Sequence, residues 1–170
     1  MSVPAGPHAW RRLAPPTEEP TVLAVDDQSA VTVDVEHLVH LTIEVLRAEG
    51  VVGPAELSLS FVDDDTIAGC NRRFLDGDGP TDVLAFPIDP TDADAQGDVP
   101  RLLGDVMVCP AVAERQAAER GGRTGDELAL LVIHGVLHVL GMDHAEPGEA
   151  AAMQAREREL LARFHQGDER

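Results

Sequence analysis

Three histidines near the end of the chain, His134, His138 and His144, have the spacing of metal ligands. Residues four apart on an α-helix share a face and lie about 6 Å apart along its axis, so His134 and His138 can reach one ion. Gly141 allows the backbone to leave the helix in a left-handed conformation and to bring His144 back to the same point. The spacing predicts one zinc ion held by three imidazoles.

Three imidazoles leave one position of a tetrahedral zinc site open. Open sites hold a water whose pKa falls toward ~7, which suits hydrolysis. The spacing equals that of the metallopeptidase pattern H-E-x-x-H-x-x-G-x-x-H, but Gly135 occupies the place of the general-base glutamate. Another base would be required, and the sequence offers Asp143, which could instead orient an imidazole from outside the ligand set. The pattern therefore predicts a metal site and assigns no residue to proton transfer.

The other histidines and the cysteines show no such pattern. The remaining histidines, which fall in an N-terminal tail or on expected exposed faces, are His8, His37, His40 and His165. Cys70 and Cys109 form no C-x-x-C pair, so we interpret both as buried thiols of a protein in a reducing compartment.

The charge balance limits the function. The formal net charge is −18, and all 13 basic residues are arginines. Because phosphate backbones attract clustered Lys and Arg, this composition argues against broad nucleic-acid binding and requires a focused basic site for any such function. No run approaches the ~20 apolar residues of a membrane-spanning helix, and no signal peptide is evident, so we expect a cytoplasmic protein without membrane contact.

The length of 170 residues fits a single domain. Residues 1–20 are rich in proline and are expected to be a disordered or loosely attached extension. Residues 21–165 are expected to form the domain, and residues 166–170 a tail. The core must be mainly aliphatic, because the chain has one tryptophan, four phenylalanines and no tyrosine.

Hydrophobic periodicity and turn residues predict the elements that position the histidines. The predicted strands are residues 21–25, 56–62, 83–88 and 105–109. The predicted helices are residues 35–49 after an Asp34 cap, 67–74 after Asp63–Asp65, 110–119, a histidine-bearing helix capped by Thr124 or Asp126, and 148–164. Residues 89–101 are expected to be a flexible loop. On the last helix, the charged residues 156–159, which include Glu157, are expected to point mostly outward. These elements predict an α+β fold: a small mixed four-stranded sheet packed with about five helices in a single domain.

Three sequence blocks resemble the YbeY endoribonucleases, also called rRNA maturation factors. Residues 134–144 match the family signature H-G-x-L-H-L-x-G-x-D-H closely. Asn71 with residues 80–87 is similar to N-x8-P-T-[DN]-V-L-S-F-P, with Ala85 in place of the serine. Residues 103–109 resemble the strand L-G-D-[IL]-x-[IV]-[CS]. The blocks occur in the family's order, and the resemblance covers roughly residues 20 to 165.

The resemblance implies one zinc ion on the three histidines and cleavage of single-stranded RNA in the cytoplasm. It implies a role in 16S rRNA 3′-end maturation and ribosome quality control. The partners would be ribosomal RNA, the small ribosomal subunit, and ribosomal proteins or assembly GTPases. Many members carry an arginine where this chain has Leu75. Any phosphate contact made there would move to Arg72 or Arg73, for which a solvated helix face is an equally good interpretation.

Two other functions fit the same pattern. One is a metallohydrolase of a peptide or a small phosphoester. The other is a ribosome-assembly binding factor in which zinc is structural. A structural site is usually closed by a fourth protein ligand, for which Asp143, another histidine or Cys109 would be the candidates.

Overall fold

The computed structural model describes residues 18–89 and 100–166. Most of the expected N-terminal extension, most of the expected loop after residue 89 and most of the tail lie outside these ranges. The strands are β1 (Thr21–Asp27), β2 (Ala55–Val62), β3 (Val83–Pro87) and β4 (Arg101–Val108). The helices are α1 (Val35–Ala48), α2 (Asp64–Leu75), α3 (Pro110–Arg120), α4 (Thr124–Val139) and α5 (Pro147–Phe164).

The four strands form one mixed sheet in the order β1-β2-β4-β3. β1, β2 and β4 run parallel, and β3 pairs with β4 in the antiparallel direction. β3 is therefore an edge strand. The predicted α+β class, with one mixed four-stranded sheet and five helices in a single domain, is confirmed.

The two faces of the sheet pack against different helices. The main core lies between one face and α1, α4 and α5, and it includes Leu57 and Phe61 of β2, which alternate with less buried residues as the sequence predicts. A smaller cluster on the other face joins Leu84 and Phe86 of β3 to Ile67 of α2. The histidine-bearing helix α4 and the arginine-bearing helix α2 consequently lie on opposite faces.

Two helix caps form as predicted. Asp34 accepts a hydrogen bond from the backbone N–H of His37 at 3.1 Å, and Asp63 accepts one from Thr66 at 2.8 Å. The predicted cap of α4 is wrong, because that helix has no side-chain cap. Its N-cap residue is Arg123, which precedes both predicted candidates.

β4 begins at Arg101, four residues before the predicted start. Leu103 and Gly104 are both buried, which breaks the alternation of a regular strand. Gly104 has a φ of 151°, and the pairing with β2 shifts register between Glu56 and Leu57. Because of this irregularity, the first half of the strand does not show the alternation of buried and exposed residues from which strands are predicted.

Candidate metal centre

α4 is an apolar helix that packs against the sheet. Its contact with β3 and β4 determines the direction in which its histidines point. A Cβ placed on Gly135 would lie 2.5 Å from Cγ1 of Val106 and 3.2 Å from Cγ2 of Val83. Glycine is required here because the helix backbone approaches β3 and β4 too closely for a side chain. His134 and His138 then lie away from the sheet, where both keep partial exposure.

The three predicted histidines come together. Their nearest ring nitrogens all lie within 4.8 Å of one another, and among the described residues this is the group of His, Cys, Asp and Glu that could hold a metal ion. Gly141 has a φ of 102°, the left-handed conformation that the sequence predicts. The turn after α4 thereby returns His144 to the face that carries His134 and His138.

The side chain of Asp143 stabilises this turn by a hydrogen bond to the backbone. Its Oδ1 accepts a hydrogen bond from the N–H of His144 at 2.7 Å. The side chain is exposed and does not belong to the ligand group. The side chain of Asp143 therefore positions the third histidine by binding the backbone N–H of His144. The sequence interpretation had considered contact with an imidazole instead.

Glu157 of α5 is a site residue that the sequence interpretation missed. Its carboxylate lies 2.5 Å from Nδ1 of His134, and only 7% of the residue is exposed. A carboxylate that accepts from Nδ1–H leaves the Nε2 lone pair of the same imidazole free for a metal ion. The prediction that Glu157 points outward is wrong. The signal was present, since Glu157 lies four residues after Met153 and three before Leu160, both of which are buried.

The environment of His138 favours its neutral form. Burial lowers the pKa of this imidazole below its usual value of 6.5, and the adjacent His134 and His144 lower the pKa further. Neutral imidazole is the form that ligates metals. The donor set therefore fits a borderline metal ion such as zinc, with two ligands from α4 and one from the turn that follows it.

Two groups of predicted site candidates lie elsewhere. Arg72 and Arg73 are exposed in the last turn of α2, on the opposite face of the sheet from α4. Cys109 is buried in the smaller cluster, with Sγ 3.5 Å from Asp64, and so does not close the histidine site. Cys70 is only half-buried, so the interpretation as a buried thiol is wrong for that residue.

Of the other histidines, His8 lies outside the described residues and His40 is exposed. His37 and His165 instead form a hydrogen-bonded pair, with Nε2 of His37 2.9 Å from Nδ1 of His165. His165 also contacts Asp126 at 2.7 Å. This chain joins the starts of α1 and α4 to the end of α5, and it explains why Asp126 does not cap its own helix.

Three imidazoles converge at the end of an apolar helix on an α+β sheet, and the residues that the structure describes add no fourth ligand. This arrangement defines a candidate open metal centre of the metallohydrolase type. The family model for endoribonuclease YbeY matches residues 23–165. The chain belongs to the endoribonuclease YbeY family.

Known proteins support this assignment. The chain is 46% identical over 147 residues to the endoribonuclease YbeY of Salinispora tropica, covering 82% of this chain and 94% of that protein. It is 45% identical over 140 residues to the endoribonuclease YbeY of Thermobifida fusca, covering 81% and 90%. A protein of Thermotoga maritima solved in solution has the same fold, with a TM-score of 0.52 and 26% identity, covering 85% of this chain and 91% of its own. In the described residues, no helix is long and apolar enough to cross a membrane.

Proposed function

We propose that this protein is a zinc-dependent endoribonuclease that cuts single-stranded RNA, acting in 16S rRNA 3′-end maturation and ribosome quality control. The observation that carries the proposal is the convergence of His134, His138 and His144, with no fourth protein ligand in the described residues. The family to which the chain belongs supplies the substrate class. The other proposed features follow from these two points.

Neighbouring residues and burial favour the protonation states that the histidines need in order to bind a metal ion. The carboxylate of Glu157 is placed to accept a hydrogen bond from Nδ1–H of His134, and burial lowers the pKa of His138, which favours its neutral form. When bound, zinc supplies Lewis-acid chemistry at a phosphodiester. His144 is exposed, so a polymer as large as RNA has access to the ligand face.

The residue that moves protons in the proposed reaction is unassigned. Gly135 cannot act as the peptidase glutamate does, and its Cα faces the sheet. Asp143 lies next to the third ligand but uses one oxygen to hold the backbone of His144.

The alternatives have weaker support. A structural zinc in a binding factor would be closed by four protein ligands, and the described residues offer three. A peptidase would need a base that the α4 pattern lacks. We also propose ribosomal RNA, the small ribosomal subunit, and ribosomal proteins or assembly GTPases as partners, Arg72 and Arg73 as RNA contacts, and the cytoplasm as the location.

The proposal is tested by measuring metal content and cleavage of an rRNA 3′-end substrate, with and without a chelator. His138→Ala should lose both stoichiometric zinc and cleavage, while His40→Ala, an exposed histidine outside the ligand group, should retain both. Leu75→Arg tests whether restoring the arginine found in many family members increases cleavage. Full zinc occupancy without cleavage in any variant would favour the binding-factor function.

A further inference from the structure

The last turn of α2 carries an exposed aromatic side chain. Phe74 is 56% exposed and packs against Phe86 of β3, with ring centroids 5.5 Å apart at an angle of 71°. The guanidinium of Arg73 lies over the Phe74 ring, 5.2 Å from its centroid. We call Arg73, Phe74 and Phe86 the aromatic patch. Within the described residues, Phe74 is the one aromatic side chain among the large exposed hydrophobic residues.

The charges around the patch suit an anionic polymer. In the part of the chain that the structure describes, Arg72 and Arg73 form no ion pair, whereas Arg47, Arg115, Arg120 and Arg156 all contact carboxylates. Among the described residues, Arg72 and Arg73 are the one pair of arginines adjacent in sequence, and no ion pair matches their charge. Asp76 and Asp78 follow directly in the sequence and weaken the local field. Contact with phosphate alone would therefore be weak, and the ring must supply much of any binding.

The patch lies at the same end of edge strand β3 as the metal centre. A Cβ placed on Gly104 would lie 2.5 Å from the carbonyl oxygen of Phe86 and 3.1 Å from Cγ1 of Val139. The backbone of Phe86 is therefore beneath the turn of α4 that carries His138. Its side chain belongs to the smaller cluster, on the opposite face from α4. β3 forms the edge of the sheet, and no other described strand pairs with its outer side. An RNA strand that binds at the histidines can pass around this edge and reach the ring.

We infer that the aromatic patch is a stacking site for an unpaired nucleobase of the RNA, next to the cleaved position and on the other side of β3. The inference rests on the proposed single-stranded RNA substrate. Aromatic rings bind single strands by stacking on bases of any sequence, and an adjacent arginine adds a cation–π contribution. Such a subsite selects unpaired RNA, because a base within a duplex has no free face.

The direct test places a fluorescent reporter in the site. Phe74→Trp in a Trp10→Phe background carries its sole tryptophan at the patch. We expect its emission to be quenched in a saturable way by a single-stranded oligodeoxynucleotide, and not by an abasic oligomer of the same length and charge. Equal quenching by the abasic oligomer would show that phosphate is bound and would overturn the inference.

Leucine and alanine variants distinguish stacking from simple apolar contact. Phe74→Leu and Phe74→Ala should each weaken oligonucleotide binding by about 5- to 150-fold, the range for loss of one stacked base. In cleavage assays KM should rise with little change in kcat, since the contact forms equally in the ground state and the transition state. Phe74→Leu with unchanged affinity would contradict stacking. Thermal unfolding of both variants checks that the fold is intact.

Phe164 provides the matched control. It also lies under a neighbouring arginine, with Arg163 4.7 Å from the ring centroid, but its ring packs against the main core. Phe164→Leu should leave oligonucleotide affinity unchanged. The outcomes separate the two proposals: metal-dependent cleavage with no effect of Phe74→Leu rejects the subsite alone. Quenching by the oligonucleotide but not by the abasic oligomer, in the absence of any cleavage, rejects the nuclease and keeps the subsite.

Discussion

Oε1 of Glu157 lies 2.5 Å from Nδ1 of His134, so a buried carboxylate on α5 orients an imidazole on α4. Loss of such a partner typically lowers metal affinity by about 10- to 100-fold. We expect Glu157→Gln to weaken zinc binding in this range, because the amide lacks the charge that makes the imidazole a better ligand. Competition against chelators of graded affinity measures the change.

The control for that prediction is Glu159→Gln. Glu159 is more than half exposed and pairs with Arg156 on the outer side of the same helix, so its loss should not change zinc affinity. If Glu157→Gln binds zinc as tightly as the wild type, the carboxylate has only a packing role.

The site was largely predictable from the sequence because its signals are local. The spacing of His134 and His138 follows helix geometry, and Gly141 gives the turn that returns His144. Glu157 contributes through a contact between two helices, with a residue 23 positions earlier in the chain, and no local pattern specifies such a contact. Its position on the buried face between Met153 and Leu160 was the available clue, and a charged residue at such a position requires a partner.

The fold was predicted in its elements and less well at their boundaries. β2 alternates cleanly and was predicted almost residue for residue. The start of β4 was missed because the positive φ of Gly104 places two successive residues in the interior. The start of α4 was assigned to the wrong residues because the side chain of Asp126 hydrogen-bonds to His165, 39 residues away. In the first case a backbone conformation of one glycine breaks the pattern, and in the second a tertiary contact engages a side chain that could have capped the helix.

Gly135 should tolerate no larger residue. In Gly135→Ala the new methyl would meet Val106 at 2.5 Å, and overpacking of this kind costs about 1–3 kcal/mol. That cost opposes the helix preference for alanine over glycine, which is about 1 kcal/mol. We expect a net loss of stability in urea unfolding with the metal removed.

Gly125→Ala is the comparison for this prediction. Gly125 lies in the first turn of the same helix with nothing within 4 Å of its Cβ position, so alanine should leave the free energy of unfolding unchanged or raise it. Equal effects of the two substitutions would show that the contact with Val106 is relieved by local movement.

The two thiols should differ in reactivity. Cys109 is fully buried, and this burial raises its pKa above the usual value of 9.0, so little thiolate forms near neutral pH. Cys70 is half-buried. A thiol reagent should therefore modify one cysteine in the native protein and the second only after denaturation, which absorbance titration and peptide mapping can follow. Rapid native modification of Cys109 would indicate frequent opening of the smaller cluster.

The ion pair between Asp64 and Arg115 should make stability depend on pH in the acid range. Arg115 Nη2 lies 2.9 Å from Oδ1 of Asp64, and this contact lowers the pKa of the carboxyl below its usual value of 3.8. A carboxyl with a lowered folded-state pKa stabilises the protein fully above its unfolded-state pKa. The stabilisation is lost as the pH falls through the folded-state pKa.

Asp64→Asn should accordingly reduce stability at neutral pH, and its deficit should shrink as the pH is lowered below about 3.8, the usual carboxyl value. The effect should be modest, because both partners are substantially exposed and screened by solvent. Asp65→Asn removes the same charge from the same helical turn without an ion pair, so it isolates the contribution of Arg115. Denaturant unfolding of the three proteins across this pH range, at low and high salt, measures the difference. A deficit of Asp64→Asn that stays constant with pH would mean that the carboxylate stabilises the fold without its charge.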